Sequence, residues 1–101
     1  MAKVSKLRIY TIREGKMDEW IAGWKSGVVP LRVKHGFRVD GAWVVRAKNT
    51  FVWILTYDGP GDWETKDADY YASEDRMSMS PDPARLIAHA EEWTLAPVSS
   101  T

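Results

Sequence analysis

At 101 residues the chain is expected to form a single domain spanning 1–101, large enough for a core and small enough to gain from a partner. Fourteen basic residues balance fourteen acidic ones, which argues against non-specific nucleic-acid binding, since that needs a basic surface. There is no cysteine, so disulfides, thiolate nucleophiles and cysteine metal sites are excluded. The opening MAKVSK lacks an apolar signal core and no apolar run approaches membrane-spanning length, so a cytoplasmic protein without a membrane partner is expected.

Residues 6–12 (KLRIYTI) alternate as a strand, with Leu7, Ile9 and Thr11 on one face and Arg8, Tyr10 and Ile12 on the other. Neither face is cleanly polar, so both are expected to be covered. The stretch from Lys16 to Gly36 then carries Met17, Trp20, Ile21, Trp24, Val28, Leu31 and His35 at helical spacing, one continuous apolar stripe. Asp18 and Glu19 in its first turn and Lys34 and His35 in its last suit the helix dipole, and Gly36 stands where a left-handed residue would end it. Pro30 removes the bond to the Ser26 carbonyl, so a kinked but single helix is predicted. The basic residues Arg32, Lys34 and Arg38 read as a solvated helix end.

Residues 37–45 (FRVDGAWVV) alternate as a second strand in which Gly41 marks a bulge or a close backbone approach. Asn49 tolerates the positive φ that the following hairpin needs. The third strand, residues 50–57, is apolar on both faces: Phe51, Trp53, Leu55 and Tyr57 share one, and Val52 and Ile54 share the other. Such a strand belongs at the centre of a sheet covered on both sides. Asp62 caps a helix to about residue 72, in which Trp63, Asp67, Tyr70, Tyr71 and Glu74 share a side. After an irregular 73–80, a further helix is predicted with Ser80 as N-cap, Pro81 at its first position, and Leu86, Ile87 and Ala90 inward. Residues 92–98 form the last strand, with Trp93 and Leu95 on one face, and the tail from Ser99 is expected to fray.

The order β-α-β-β-α-β is the ferredoxin-like arrangement, an α+β fold with an antiparallel sheet and helices on one face. The doubly apolar third strand implies that a second copy covers the open face, closing two sheets into a dimeric α/β barrel.

LRIYTIREGKMDEW, then GVVPLRVKHGF and later WILTYDG, resembles the NIPSNAP family of the dimeric α/β-barrel superfamily, with VPLRVKHGF (residues 29–37) as the most specific part. The resemblance implies the same ferredoxin-like homodimer. It implies little about activity, because the superfamily spans cofactor-free monooxygenases, polyketide cyclases, lactone isomerases and haem enzymes. In one departure Trp53 stands where the family often carries a histidine, which removes any acid–base role there and makes the pocket narrower.

Several residues are candidates for chemistry. Arg8 and Tyr10 project opposite Leu7 and Ile9; if the latter pack on the helices, the former point into the barrel. Arg8 then either pairs with Asp40 to set strand register or binds a carboxylate, enolate or phenolate, with Tyr10 as donor or acid. Asp40 and Trp43 fall on opposite faces unless a bulge at Gly41 switches the alternation. His35 is either a helix-end cation or a general base at the barrel mouth. Trp43, Phe51, Trp53 and Tyr57 are assigned to the barrel interior, filling the dimer interface or lining a cavity for a flat ligand. Tyr70, Tyr71 and Met77 belong to a candidate lid, alongside the bland reading of an ordinary connection.

No pair of histidines has ligand spacing and no glycine-rich phosphate loop is present, so neither metal nor other cofactor is expected. The expectation is a homodimer that binds and converts a small, flat, apolar or aromatic molecule without a cofactor, as a cyclase, isomerase or monooxygenase. A ligand carrier or an oligomeric interaction module is the alternative, and haem ligation by His35 or His89 is a third.

Overall fold

The computed structural model describes residues 3–98; the tail from Ser99 lies outside the described residues. Four strands, β1 (Val4–Ile12), β2 (Phe37–Val45), β3 (Thr50–Tyr57) and β4 (Ile87–Leu95), form one antiparallel sheet in the order β2-β3-β1-β4. Helix α1 (Met17–Gly23), a π-helical turn (Trp24–Val28) and α2 (Val29–Lys34) join β1 to β2. After β3 come α3 (Trp63–Ala72), α4 (Glu74–Met77) and a 3₁₀ turn (Pro83–Leu86). This is the ferredoxin-like α+β fold. The third strand is interior, as its apolar run requires.

The long helical run shows how Pro30 is tolerated. Without an N–H at Pro30 the Ser26 carbonyl loses its usual donor, and the preceding turn widens so that the Val29 N–H reaches the Trp24 carbonyl. The helix continues in phase. Met17, Trp20, Trp24, Val28 and Leu31 are all buried, and Gly36 ends the run at φ +91°.

The faces of the sheet are the reverse of the expected assignment. In the β1–β3 register Arg8 lies opposite Trp53 and Tyr10 opposite Phe51, so these four share a face. Trp20 and Trp24 of the helical run meet Phe51 edge-on, and Trp63 of α3 meets Phe37. Arg8 and Tyr10 therefore lie under the helices, and Leu7 and Ile9 look outward. The bulky face of β3 decides this, because only Phe51, Trp53, Leu55 and Tyr57 fill the space beneath two helices.

Gly41 does sit at a bulge. Val39 pairs with Leu55 and Gly41 with Ile54, so Asp40 is the extra residue. Beyond it the alternation switches: Ala42 and Val44 face the helices, and Trp43 turns to the open face, over Gly41. Trp43 thus does not share a face with Phe51, Trp53 and Tyr57, contrary to the sequence expectation.

Asp62 caps α3 by accepting from the Thr65 N–H at 2.8 Å. The helix expected from Pro81 is not formed. Asp82, not Ser80, caps a single 3₁₀ turn, and β4 starts at Ile87, five residues earlier than expected. Leu86, Ile87 and Ala90 do have helical spacing, but residues 87–95 instead satisfy the unpaired edge of β1. His89, expected on a helix, stands on this strand opposite Thr11.

Candidate functional site

The site grows from one buried arginine. Strand alternation places Arg8 beneath the helices, where a guanidinium must be paired to be tolerated. Its Nε donates to Glu92 Oε2 at 2.8 Å, and Nη2 lies 2.8 Å from the same oxygen. Nη2 also donates to Asp67 Oδ1 at 3.3 Å, while Nη1 donates to the hydroxyls of Tyr71 (3.2 Å) and Tyr10 (3.4 Å). The expected pair with Asp40 does not form. The bulge instead gives Asp40 to Arg38 (2.6 Å) and Thr56 (2.5 Å).

Asp67 is shared. Its Oδ1 also lies 2.8 Å from Nη1 of Arg32, which is 1% exposed. The Arg32 guanidinium rests 3.7 Å from the centre of the Tyr70 ring, with Phe37 and Tyr71 on its other sides. The expected solvated helix end is therefore wrong for Arg32. It follows Val28 by four residues and so returns to the buried side of the helix.

This environment sets the charge states. Burial alone would lower the Arg8 pKa, but Tyr10, Tyr71, Asp67 and Glu92 around the guanidinium outweigh it and hold it above its usual value. Burial raises the Tyr10 hydroxyl above its usual range, with the nearby Arg8 charge opposing. Tyr10 is thus a neutral donor at physiological pH, suited to stabilising charge on a ligand oxygen and not to acting as a base. Tyr70 is likewise raised, by burial first and against the pull of Arg32.

Two cavities meet at this cluster. An outer one of about 280 Å³ is lined by Arg8, Tyr10, Asp67, Tyr71 and the β4 residues 90–92. An inner one of about 40 Å³ reaches from the same Arg8, Tyr10 and Tyr71 toward Trp20, Arg32, Trp53 and Tyr70. A 370 Å³ groove between the long helix and residues 79–86, and a 380 Å³ cleft beside Trp63 and Tyr57, lie apart from Arg8.

Of the sequence candidates, Arg8, Tyr10, Trp53, Tyr70 and Tyr71 are brought together. Phe51 is core, packed between Trp20 and Trp24. Tyr57 gives its hydroxyl to the Pro60 carbonyl and lines the separate cleft. His35 packs edge-on against Tyr70, 5.6 Å between ring centres, and lines neither of the two cavities. Trp43 lies on the open face, and Met77 is 69% exposed on α4, away from both cavities. Asp67, Glu92 and Arg32 were not singled out from the sequence. For Asp67 a signal existed, since it shares a helix side with Trp63 and Tyr70. Glu92 had none, because the strand pattern does not say that β4 pairs with β1, and only that register sets Glu92 opposite Arg8.

Among the described residues no cluster of three or more His, Asp or Glu side chains is placed to hold a metal ion, and no helix is long and apolar enough to cross a membrane. What the cluster supplies is a guanidinium and two hydroxyls fixed side by side, with the carboxylates of Asp67 and Glu92 beside them.

The NIPSNAP family profile matches residues 5–101. The fold is similar to an uncharacterized NIPSNAP domain protein from Burkholderia xenovorans (TM-score 0.82, 19% identity, covering 97% of each chain). It is also similar to a NIPSNAP family protein from Agrobacterium tumefaciens (TM-score 0.85, 19% identity, 99% of this chain and 97% of that one). A putative antibiotic biosynthesis monooxygenase from Bacteroides thetaiotaomicron shares the fold at TM-score 0.70 and 16% identity, over 96% of this chain and 90% of that one. No curated protein matches the chain.

Proposed function

Since the chain belongs to the NIPSNAP family, with the ferredoxin-like fold, we propose that it binds and converts a small, flat organic molecule in the outer cavity, without a cofactor, as part of a homodimer. The observation that carries this reading is the convergence of Arg8, Tyr10 and Tyr71 on one wall of a 280 Å³ cavity. A ligand oxygen at that wall meets a guanidinium that stays charged and a hydroxyl that stays protonated. Those groups favour negative charge developing on oxygen, as when a C–H beside a carbonyl loses its proton. Glu92, at the solvent side of the cluster, takes that proton and returns it at a different carbon, which makes isomerisation or ring closure the simplest outcome. Activation of a ring toward oxygen would begin with the same charged intermediate, and the fold shared with a putative monooxygenase supports keeping oxygenation in this set.

The homodimer is supported by the other face of the sheet. Leu7, Ile9, Val52 and Ile54 form an apolar field there, with Trp43 56% exposed and Trp93 59% exposed beside it. An isolated domain seldom leaves such a surface in water. The same surface supports a second reading, an interaction module or carrier without turnover.

Native mass spectrometry, with and without a panel of enolisable ketones and phenols, tests the reading. A dimer that carries an adduct and changes the mass or isomer of the added compound is the expected result. A monomer would overturn the dimer. A dimer that binds none of the panel would overturn the ligand site, and binding without turnover would favour the carrier.

A further inference from the structure

Arg32 brings a buried positive charge close to the outer cavity without lining it. It comes from α2, yet its neighbours are residues of α3. Its Nη1 lies 2.8 Å from Asp67 Oδ1, and its guanidinium sits 3.7 Å from the centre of the Tyr70 ring and 5.1 Å from that of Tyr71. Asp67, Tyr70 and Tyr71 stand at i, i+3 and i+4, so one arginine holds a whole side of the helix. Asp67 and Tyr71 are also the α3 residues that line the outer cavity.

The charge balance around Arg8 depends on this contact. Arg8 has two carboxylate partners, Asp67 and Glu92, which alone would more than cancel its charge. Both carboxylates are shared. Arg32 lies nearer to Asp67 Oδ1 than Arg8 does, 2.8 against 3.3 Å, and Lys6 lies 3.6 Å from Glu92 Oε1. Glu64 also reaches Lys6, but it stands in solvent, where water and salt screen it. Glu91 lines the cavity too, yet the register sets it opposite Ile9, on the open face. Three largely buried cations thus share two carboxylates, and Arg32 leaves the balance positive. A charge so buried is little screened, so it is felt at the cavity wall.

We propose that Arg32 is a positioning residue of the outer cavity: it holds Asp67 toward α2, off Arg8, and so leaves the Arg8 guanidinium able to take an anionic ligand oxygen. Among the described residues Asp67 has no cation within 4.0 Å besides Arg8 and Arg32, so without Arg32 it closes on Arg8. Tyr71 also loses the cation beside its ring, which helps to stand its hydroxyl 3.2 Å from Arg8. This rests on the reading of the outer cavity as a ligand site and names what sets its preference for an oxyanion.

Titration calorimetry with 4-nitrophenolate and with neutral nitrobenzene, in the parent, Arg32→Lys and Arg32→Met, tests the assignment. The parent is expected to bind the phenolate at least about tenfold tighter than nitrobenzene. Arg32→Met should weaken the phenolate about tenfold and leave nitrobenzene within about twofold. Arg32→Lys returns the charge to Asp67 without the flat face, and it should recover most of that loss. Arg32→Gln takes the place of Arg32→Met if the latter does not fold. Equal weakening of both probes, equal loss in the charged and neutral variants, or failure of all three variants to fold would make Arg32 purely structural and overturn the proposal. Equal affinity of the parent for the two probes, or unchanged phenolate affinity in the neutral variant, would overturn it as well and leave the outer ligand site standing. Binding of neither probe by the parent would overturn that site and this inference with it.

Discussion

The two faces of the sheet carry similar apolar content but meet different fates. Beneath the helices, Phe51, Trp53, Leu55 and Tyr57 are sealed against Trp20, Trp24 and Trp63, and a few polar groups are locked among them. On the other face, Leu7, Ile9, Val52 and Ile54 are only half-buried, and Trp43 and Trp93 stand largely in solvent. Apolar residues alone therefore do not tell the covered face from the open one in this chain. What differs is the polar component: the covered face holds Arg8 with its partners at hydrogen-bond distance, and the open face holds mainly the short Ser5–Thr56–Asp40 chain. Charged and hydroxyl groups are concentrated where water is excluded, and exposed apolar side chains stand on the face that no helix covers.

The contrast can be broken at several points. Trp53→Ala, on the covered face, is expected to cost about 3–5 kcal/mol of folding stability, measured by denaturant unfolding. A loss below about 1 kcal/mol would mean that the covered face is not the core. Trp43→Glu, on the open face, should leave monomer stability nearly unchanged but weaken self-association by about 2–4 kcal/mol, read by sedimentation across a concentration series. Unaltered association would remove that face as the contact.

Arg8→Lys keeps the charge but loses the fork that serves Glu92, Asp67 and two hydroxyls at once. Ligand affinity or turnover should fall about 10- to 100-fold while the protein remains folded. Activity equal to the parent would show that Arg8 acts only in holding β1 to β4. The smallest effect is expected at Asp40, whose pKa is held below the usual carboxylate value first by the hydrogen bond from Arg38 and then by that from Thr56. A carboxyl lowered in the folded state stabilises above its unfolded pKa, and that contribution is lost as pH falls through the folded value. Asp40→Asn should therefore cost under ~1 kcal/mol near neutrality, with the difference from the parent closing below about pH 4. A difference that persisted at pH 2 would assign the effect to bulge geometry instead.

Much of the chain was legible from local pattern. The stripe Met17–Trp20–Trp24–Val28–Leu31, the cap at Asp62, the positive φ at Asn49 and the bulge at Gly41 all follow from rules acting over a few residues. The last strand was not legible, since Leu86, Ile87 and Ala90 suit a helix as well as a strand. Only the unpaired edge of β1, some 75 residues away, selects the strand. The site was half legible. Arg8 and Tyr10 stand out as polar groups on an apolar strand, but Asp67, Glu92 and Arg32 reach them from α3, β4 and α2.

By itself, then, the sequence determined the elements up to α3 and the antiparallel ferredoxin-like plan, because helix and strand periodicity are properties of neighbouring residues. Which face of each strand meets the helices was decided only in the tertiary structure, because alternation divides a strand into two faces without saying which is covered. With both faces of β1 and β3 apolar, the choice fell to volume: four large side chains of β3 fill the space under the helical layer, and register carries Arg8 and Tyr10 in beside them.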